Sequence, residues 1–120
     1  MSETINKQIQ YGTKGTNNLY NVLYCTINLV NGKFYIGVHK TNNLNDEYIG
    51  SGSYLNRSIE KYGEDNFYRL DLEFYDNDII IYEREEELVS DEFLINYKHD
   101  CYNLVKGGGI GWNKIHKSQI

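Results

Sequence analysis

Residues 21–39, NVLYCTINLVNGKFYIGVH, form the stretch that decides the fold. Two runs of β-branched and aromatic residues flank the pair Asn31-Gly32. This pair favours a two-residue type I′ hairpin turn, because both central residues of that turn need positive φ. Such a turn sets the register of the strands and places Tyr24 opposite His39. The sequence therefore predicts a β-hairpin around which the rest of the domain is organised.

The two faces of this hairpin differ in character, because side chains alternate between the faces of a strand. One face is apolar and is predicted to be buried, with cross-strand pairs such as Ile27 with Ile36 and Cys25 with Val38. The other face is polar and is predicted to form the floor of a site. It carries Tyr24, Thr26, Asn28, Lys33, Tyr35, Gly37 and His39.

Length and composition indicate one small domain. The chain has 120 residues, 40% of them hydrophobic, which is enough for a modest core. No apolar run reaches the length of a membrane span, and no signal-peptide core precedes the hairpin, so we expect no membrane partner and a cytoplasmic location. The predicted organisation is a flexible tail over residues 1–20, a folded domain over 21–106 and a Gly-rich basic tail over 107–120.

The charge of the chain is acidic but unevenly distributed. The formal net charge of −5 argues against non-specific binding to nucleic acid, since phosphate contacts dominate that affinity. Thirteen of the seventeen acidic residues lie between residues 64 and 100, whereas the residues after Cys101 include lysines and no acid. We therefore expect an acidic face together with a basic end that can still meet DNA locally.

Periodicity and capping residues predict the other elements and the fold class. A long loop with one helical turn near residues 44–48 is followed by a helix over Ser53–Tyr62, capped by Ser53, and by a third strand over Phe67–Tyr75. A second helix runs from a cap at Asp76 or Asp78 to about Val89. A short helix after Ser90 or Asp91 and a short strand over residues 101–105 complete the predicted elements. The predicted fold is α/β, a small sandwich with a mainly antiparallel three-stranded sheet flanked by helices.

One carboxylate falls within the apolar stripe of the second predicted helix. Ile81, Leu88 and Val89 stand at i, i+7 and i+8, and Glu85 stands at i+4. The neighbouring glutamates, at positions 83, 86 and 87, point elsewhere. A buried carboxylate costs free energy unless something satisfies it, and a half-buried salt bridge between Glu85 and a cation is one way to do so.

An ordered set of short motifs carries a family resemblance. Tyr24 precedes Tyr35-Ile36-Gly37 by eleven residues; downstream follow His39-Lys40-Thr41, Tyr48-Ile49-Gly50-Ser51-Gly52, Lys61-Tyr62-Gly63, Tyr102-Asn103 and Gly107-Gly108. Together these motifs resemble the GIY-YIG nucleases over residues 20–112, in particular the catalytic domain of phage-type homing endonucleases. The first motif departs from the family, since Val-Leu-Tyr stands where Gly-Ile-Tyr is usual.

The resemblance implies a DNA endonuclease that hydrolyses phosphodiester bonds with Mg²⁺ or Mn²⁺, with residues 21–106 as a GIY-YIG-like catalytic domain. Glu85 matches the metal ligand of the family, and Tyr24 matches its general base. Tyr35 would bind the phosphate or assist Tyr24, and His39 would orient the water or relay the proton. A phenol has a pKa near 10, so Tyr24 needs a neighbouring cation or a water network to act near neutrality.

The resemblance also implies an arginine after the second motif, but residues 38–52 contain none. Lys40 is the favoured replacement, because it directly follows His39, and Arg57 is the other candidate. Further residues are expected to contact the substrate, and Asn103 could instead cap a backbone group. These residues are Lys33, Gly37, Tyr48, Ser51 and Asn103.

Partners follow from the same resemblance. DNA is the expected substrate, a homodimer would explain double-strand cutting, and a C-terminal DNA-binding module could be joined near residues 107–109. An alternative function is a catalytically silent module on the same fold that binds nucleic acid or protein, which the acidic surface and the absent arginine favour. An unrelated small α/β protein with accidental motifs is a third interpretation.

Overall fold

A four-stranded antiparallel sheet forms the centre of the structure, a computed structural model that describes residues 7–108. The strands are β1 (Gln8–Ile9), β2 (Tyr20–Asn28), β3 (Phe34–Thr41) and β4 (Phe67–Tyr75), in the spatial order β1-β4-β2-β3. The three predicted strands are confirmed. The short β1 is an addition, and it lies in the stretch that was predicted as a flexible tail.

Three helices flank the sheet: α1 (Ser53–Tyr62), α2 (Asp78–Leu88) and α3 (Asp91–Asn96), with one 3₁₀ turn at Glu64–Asn66. The side chains of Asn77 and Ser90 cap α2 and α3 by accepting hydrogen bonds from the N–H groups of Ile80 and Phe93. The predicted caps at Asp76 or Asp78 and at Ser53 are therefore wrong. Helix α1 has Gly52 at its N-cap, without a side-chain cap.

The helices divide between the two faces of the sheet. On one face, called the core face, Leu23 and Ile36 pack with Ile81 of α2, and Phe93 of α3 joins this cluster. On the other, called the site face, Tyr35 packs against Leu55 of α1. The predicted α/β sandwich is confirmed, and burial of each large apolar side chain contributes about 1.5–3 kcal/mol to its stability.

The hairpin forms, but with a different turn and register from those predicted. Tyr24 pairs with Gly37 and Val22 pairs with His39, so the predicted Tyr24–His39 pairing and type I′ turn are wrong. The loop has four residues, 29–32, closed by the Asn28 N–H, which donates to the Lys33 carbonyl. The side chains of Asn28 and Asn31 stabilise this loop by accepting hydrogen bonds from the N–H groups of Val30 and Lys33. The register shift is two residues, and an even shift leaves every side chain on its predicted face.

An irregularity in β4 changes the face of its side chains. The pairing of β4 with β2 shifts by one residue between Leu23 and Tyr24, which leaves Leu72 without a partner. Phe74 is consequently buried with Val22 on the site face, whereas Leu70 pairs with Cys25 on the core face. Leu70 and Phe74, which strict alternation along β4 would place on one face, therefore lie on opposite faces of the sheet.

Segments near the two ends of the described range pack against the sheet. The backbone N–H and the hydroxyl of Thr16 donate hydrogen bonds to Asp76, next to β4. Cys101 forms an isolated bridge with Phe34, in place of the predicted strand over residues 101–105.

Residues 1–6 of the predicted tail and residues 109–120, with Lys114 and Lys117, lie outside the described residues. None of the helices within residues 7–108 has the length and apolar character of a membrane span.

Candidate active site

Tyr24 lies across strand β3 because Gly37 has no side chain. A Cβ atom at Gly37 would come 2.5 Å from the Tyr24 hydroxyl oxygen. Gly50, in the loop over residues 42–52, also lies close to this hydroxyl, since a Cβ there would lie 3.3 Å from it. The two glycines therefore form a slot for the phenol, and Tyr24 is only 1% exposed.

Three other aromatic rings surround Tyr24 on the site face. The ring centroids of Tyr35, Tyr48 and His39 lie 6.3, 5.9 and 6.5 Å from the Tyr24 centroid. The His39 ring stacks on Tyr48 with a centroid distance of 4.0 Å and an interplanar angle of 11°. The predicted placement of Tyr24, Tyr35 and His39 on one face is confirmed, and Tyr48 joins them from the loop.

Asp46 and Arg69 hold this aromatic cluster in place. Asp46 Oδ2 accepts a hydrogen bond from His39 Nε2 at 2.6 Å, and Asp46 Oδ1 lies 3.2 Å from Arg69 Nη1. Arg69 also donates hydrogen bonds to the carbonyl oxygens of Leu44 and Tyr48. Burial works to raise the pKa of Asp46, but hydrogen bonds from His39, from the Thr41 side chain and from the Tyr48 N–H outweigh it and hold that pKa well below its usual range.

Glu85 is buried on α2, as predicted, and is 3% exposed. The predicted salt-bridge alternative is not found within residues 7–108, where Glu85 forms no ion pair. Its Oε1 atom accepts a hydrogen bond from the Gly108 N–H at 3.1 Å. Burial raises the pKa of the Glu85 carboxyl, and the Gly108 N–H acts in the opposite direction.

A cavity of about 290 Å³ joins the carboxylate to the tyrosines. Its lining includes Tyr35, Ser51 and Glu85 as well as Tyr54 and Asn103. Tyr24 lies deeper, in contact with Tyr35. Since Glu85 comes from α2 and Tyr35 from β3, the cavity is the place where the helix layer of the core face meets the aromatic cluster of the site face.

The pKa values of the two motif tyrosines are raised. Burial raises the pKa of Tyr24 well above its usual range, and Tyr48, Tyr35 and Glu85 raise it further. Burial also raises the pKa of Tyr35; Ser51 acts in the opposite direction, and Glu85 raises it again. Both phenols are therefore protonated near neutral pH in the chain as it stands.

Lys40 lies on the opposite face of the sheet from Tyr24. Its Cα partner is Asn21, and its ammonium group lies 3.4 Å from Asp78 Oδ2 and 5.5 Å from the centroid of the Tyr82 ring. His39 and Lys40 are consecutive in a strand, so only one of them can face the site. The structure does not bring the favoured cation to the cavity that contains Glu85.

Arg57 and Lys33 lie together in a second cavity. Arg57 is on α1, and Lys33 follows the hairpin loop, with its Nζ atom 2.5 Å from the Tyr54 hydroxyl. Tyr54 and Tyr102 line both cavities, so the two cavities share a wall. The structure therefore separates the predicted site residues into a group around Glu85 and a basic group beside it.

The remaining predicted substrate-binding residues occupy different positions. Ser51 is exposed at the cavity, Tyr48 stacks on His39, and Gly37 lies beneath Tyr24. The side-chain amide of Asn103 donates to the carbonyl of Ile36 at 2.8 Å and accepts from its N–H at 2.9 Å. Asn103 thus caps the outer edge of β3, the second of its two predicted roles.

The sequence interpretation did not single out Asp46 and Arg69. A visible signal existed for Arg69, which is a charged residue in the middle of a predicted strand. Such a residue needs partners on the covering loop, and Arg69 finds three of them there. The signal for Asp46 is weaker, because aspartate is common in loops and only the packing of residues 42–52 brings it to His39.

A metal ion at this site would have a single protein carboxylate. Residues 7–108 contain no group of three or more His, Cys, Asp or Glu side chains that could hold an ion. A hard cation such as Mg²⁺ is commonly held by one or two carboxylates, with waters and substrate phosphate oxygens completing its coordination. A buried Glu85 that lines an open cavity fits this kind of ion.

Comparison with known proteins shows similarity to several endonuclease-named proteins of enterobacteria phage T4. The chain is 44% identical over 93 residues to "Putative endonuclease segB", a match that covers 78% of the chain and 41% of that protein. It is 45% identical over 99 residues to "Putative endonuclease segC", covering 82% and 48%. It is 43% identical over 98 residues to "Endonuclease segA", covering 80% and 42%.

The chain thus spans less than half the length of the curated relatives it matches. No protein-family model and no solved structure matches it.

Proposed function

We propose that this chain is a GIY-YIG-type catalytic domain of a metal-dependent DNA endonuclease, related to phage homing endonucleases. One observation carries the proposal: a buried carboxylate without an ion pair in the described chain, Glu85, lines the same cavity as Tyr35, with Tyr24 directly behind. The endonuclease names of the phage relatives support the same reaction class. The substrate is DNA, and the reaction is hydrolysis of a phosphodiester bond.

Glu85 would hold Mg²⁺ or Mn²⁺ as the sole protein carboxylate ligand. When bound, the ion supplies positive charge beside the phosphate and the leaving oxygen, and it lowers the pKa of neighbouring phenols. The Gly108 N–H fixes one oxygen of the carboxylate, which leaves the other oxygen to face the cavity. This hydrogen bond orients the Glu85 carboxylate without neutralising its charge.

Tyr24 is the proposed general base and Tyr35 its neighbour at the phosphate. The phenol of Tyr24 must lose its proton to accept one from water, so its raised pKa requires a cation nearby before the group is useful. Tyr24 is buried and does not line the cavity, whereas its neighbour Tyr35 does, so we expect the attacking water to approach Tyr24 from the side of Tyr35. His39, held by Asp46, borders the phenol and is placed to orient that water or relay its proton.

A second candidate function is a catalytically silent module on the same fold. Two observations favour it: Lys40 is turned away from the site, and the phenols near Glu85 have raised pKa values. In this case the cavity would bind nucleic acid or protein without reaction. A homodimer, an accompanying C-terminal DNA-binding module and a cytoplasmic location stay predictions.

A cleavage assay with a parallel binding titration separates the two functions. Duplex and branched DNA are incubated with an excess of the chain in Mg²⁺, in Mn²⁺ and in EDTA, and binding is titrated without divalent ions. We expect nicked or cut products with either metal and none in EDTA. Binding without products under all three conditions would favour the silent module. Sedimentation with and without DNA tests the homodimer, which a monomer under both conditions would contradict.

A further inference from the structure

The second cavity is basic in a chain that is acidic overall. It has a volume of about 240 Å³, and its lining brings together Lys33, Arg57 and Lys61. No Asp or Glu is among its lining residues within the described chain, although acids outnumber basic residues 17 to 12 in the whole sequence. None of the three cations forms an ion pair within residues 7–108.

Helix α1 explains how these groups reach one place. Tyr54, Arg57 and Lys61 stand at i, i+3 and i+7, so they lie on the same side of the helix. Lys33 meets them from the start of β3, with its ammonium group 5.2 Å from the Tyr54 ring centroid and 5.8 Å from that of Tyr102. The cavity therefore combines fixed aromatic walls with three like charges whose mutual repulsion an anion would relieve.

The floor of this cavity is polar and fully hydrogen-bonded. The hydroxyls of Ser58 and Tyr102 share a hydrogen bond of 2.6 Å, and the Asn28 side-chain amide donates to Tyr102 at 3.0 Å. Both Asn28 and Ser58 are buried, so this network is rigid compared with the exposed side chains of Arg57 and Lys61. A rigid polar floor beneath cations is suited to a small, highly charged group rather than to an apolar ligand.

We propose that this basic cavity binds a phosphate group of a nucleic-acid strand, one that lies next to the phosphate cleaved at Glu85. The proposal rests on the proposed function, because the wall shared with the first cavity makes one strand able to cross both. It assigns Lys33, Arg57 and Lys61 to substrate positioning. Neither Arg57 nor Lys33 then replaces the arginine that the resemblance implies.

The salt dependence of DNA binding tests this proposal. The variant Arg57→Gln/Lys61→Gln is compared with Lys14→Gln/Lys98→Gln, which removes the same charge from exposed positions outside both cavities. Affinity for a short DNA duplex is measured at several salt concentrations in EDTA. Loss of one or two phosphate contacts should reduce the slope of log K against log salt by about 1–2 in the cavity variant. The control variant should keep a slope closer to that of the wild type.

Two outcomes would overturn the proposal. Equal slopes for the cavity variant and the control would show that the cavity makes no phosphate contact of its own. Saturation by inorganic phosphate alone, with no tighter binding of the duplex, would show that the cavity takes a free anion and not a strand. The result is separable from the proposed function: a reduced slope in a chain that never cuts DNA would uphold the phosphate site and contradict the nuclease.

Discussion

Leu23 and Tyr24 are consecutive in β2 and almost equally buried, at 0% and 1% exposure, yet their side chains have different surroundings. Leu23 points to the core face and packs in a cluster with Ile81 of α2. Tyr24 points to the site face, where its ring lies next to the rings of Tyr35, His39 and Tyr48. The difference shows that burial alone does not distinguish a core residue from a site residue. The two are distinguished by the side chains that cover them, which are apolar over Leu23 and polar or titratable over Tyr24.

The same contrast applies to two consecutive residues of the neighbouring strand β3. His39 faces Asp46 and the tyrosines on the site face, whereas Lys40 faces Asp78 of α2 on the core face. Variants on the two faces should therefore separate activity from stability. Changes on the core face should lower the free energy of unfolding, and changes on the site face should lower the rate of cleavage.

Among the variants that compare the two faces of the sheet, the largest effect is expected for Tyr24→Phe. The change removes one oxygen and keeps the ring, so hairpin packing should hold while the general base is lost. We expect the cleavage rate to fall by about 10²- to 10⁴-fold, the usual contribution of general acid–base catalysis. Single-turnover cleavage and DNA binding are measured together. A wild-type rate, or a loss of binding equal to the loss of rate, would contradict the role of Tyr24.

Leu23→Ala is the matched change on the core face. It leaves a cavity between β2 and α2 and should lower the free energy of unfolding by about 2–5 kcal/mol. Urea unfolding measures this loss, and cleavage at a temperature where the variant is folded measures the rate. We expect the rate to stay within a few-fold of wild type. A fall as large as that of Tyr24→Phe would erase the distinction between the two faces.

Gly37→Ala tests the slot that admits the phenol. The added methyl group would come 2.5 Å from the Tyr24 hydroxyl and must displace it. A misplacement of about 1 Å in a catalytic group costs about 10²-fold in rate. The double variant Tyr24→Phe/Gly37→Ala provides the control, since it should be no slower than Tyr24→Phe alone. Additive losses would mean that Gly37 acts in some other way.

Asp46→Asn should change the acid stability of the chain. The pKa of Asp46 is held below its unfolded value of about 3.9, so this carboxylate stabilises the fold above that pH and the contribution is lost as pH falls. The wild type should therefore lose stability on acidification more steeply than Asp46→Asn. Urea unfolding from pH 7 to pH 3 measures both. Asp100→Asn, an exposed change of equal charge, should follow the wild type, and parallel curves for Asp46→Asn would contradict the network.

The smallest effect is expected for Lys40→Ala. The half-exposed pair with Asp78 contributes at most about 1 kcal/mol to stability, and Lys40 is turned away from the cavity. The cleavage rate should match the wild type within a factor of about two. A drop of tenfold or more, measured under single-turnover conditions, would restore Lys40 as the replacement for the missing arginine.

The face of each hairpin residue could be predicted from the sequence, because alternation survives a register error of two residues. The turn could not, since the side chains of Asn28 and Asn31 stabilise a four-residue loop that the Asn31-Gly32 pair alone does not reveal. The placement of Lys40 was predictable in principle. Alternation puts the Lys40 side chain on the other face of β3 from that of His39, so proximity in sequence does not bring it to the site.

Long-range packing accounts for the other differences. Glu85 could be predicted as buried from helical spacing, because that pattern is local. The bulge in β4, the short β1 strand and the contact of Asp46 with His39 depend on how distant segments meet, and no local pattern specifies them. The separation of Arg57 from Glu85 has the same origin, since α1 and α2 pack on opposite faces of the sheet.

The most direct measurement is Mg²⁺-dependent cleavage by Glu85→Gln, with Glu83→Gln as an exposed control on the same helix. Glutamine keeps the acceptor for the Gly108 N–H but removes the charge, so the variant should fold, with stability equal to or above that of the wild type, because burying the charge is costly. We predict no detectable cleavage at any Mg²⁺ concentration for Glu85→Gln and wild-type cleavage for Glu83→Gln. Cleavage by Glu85→Gln at the wild-type rate and with the wild-type Mg²⁺ dependence would contradict the assignment of this cavity as the active site.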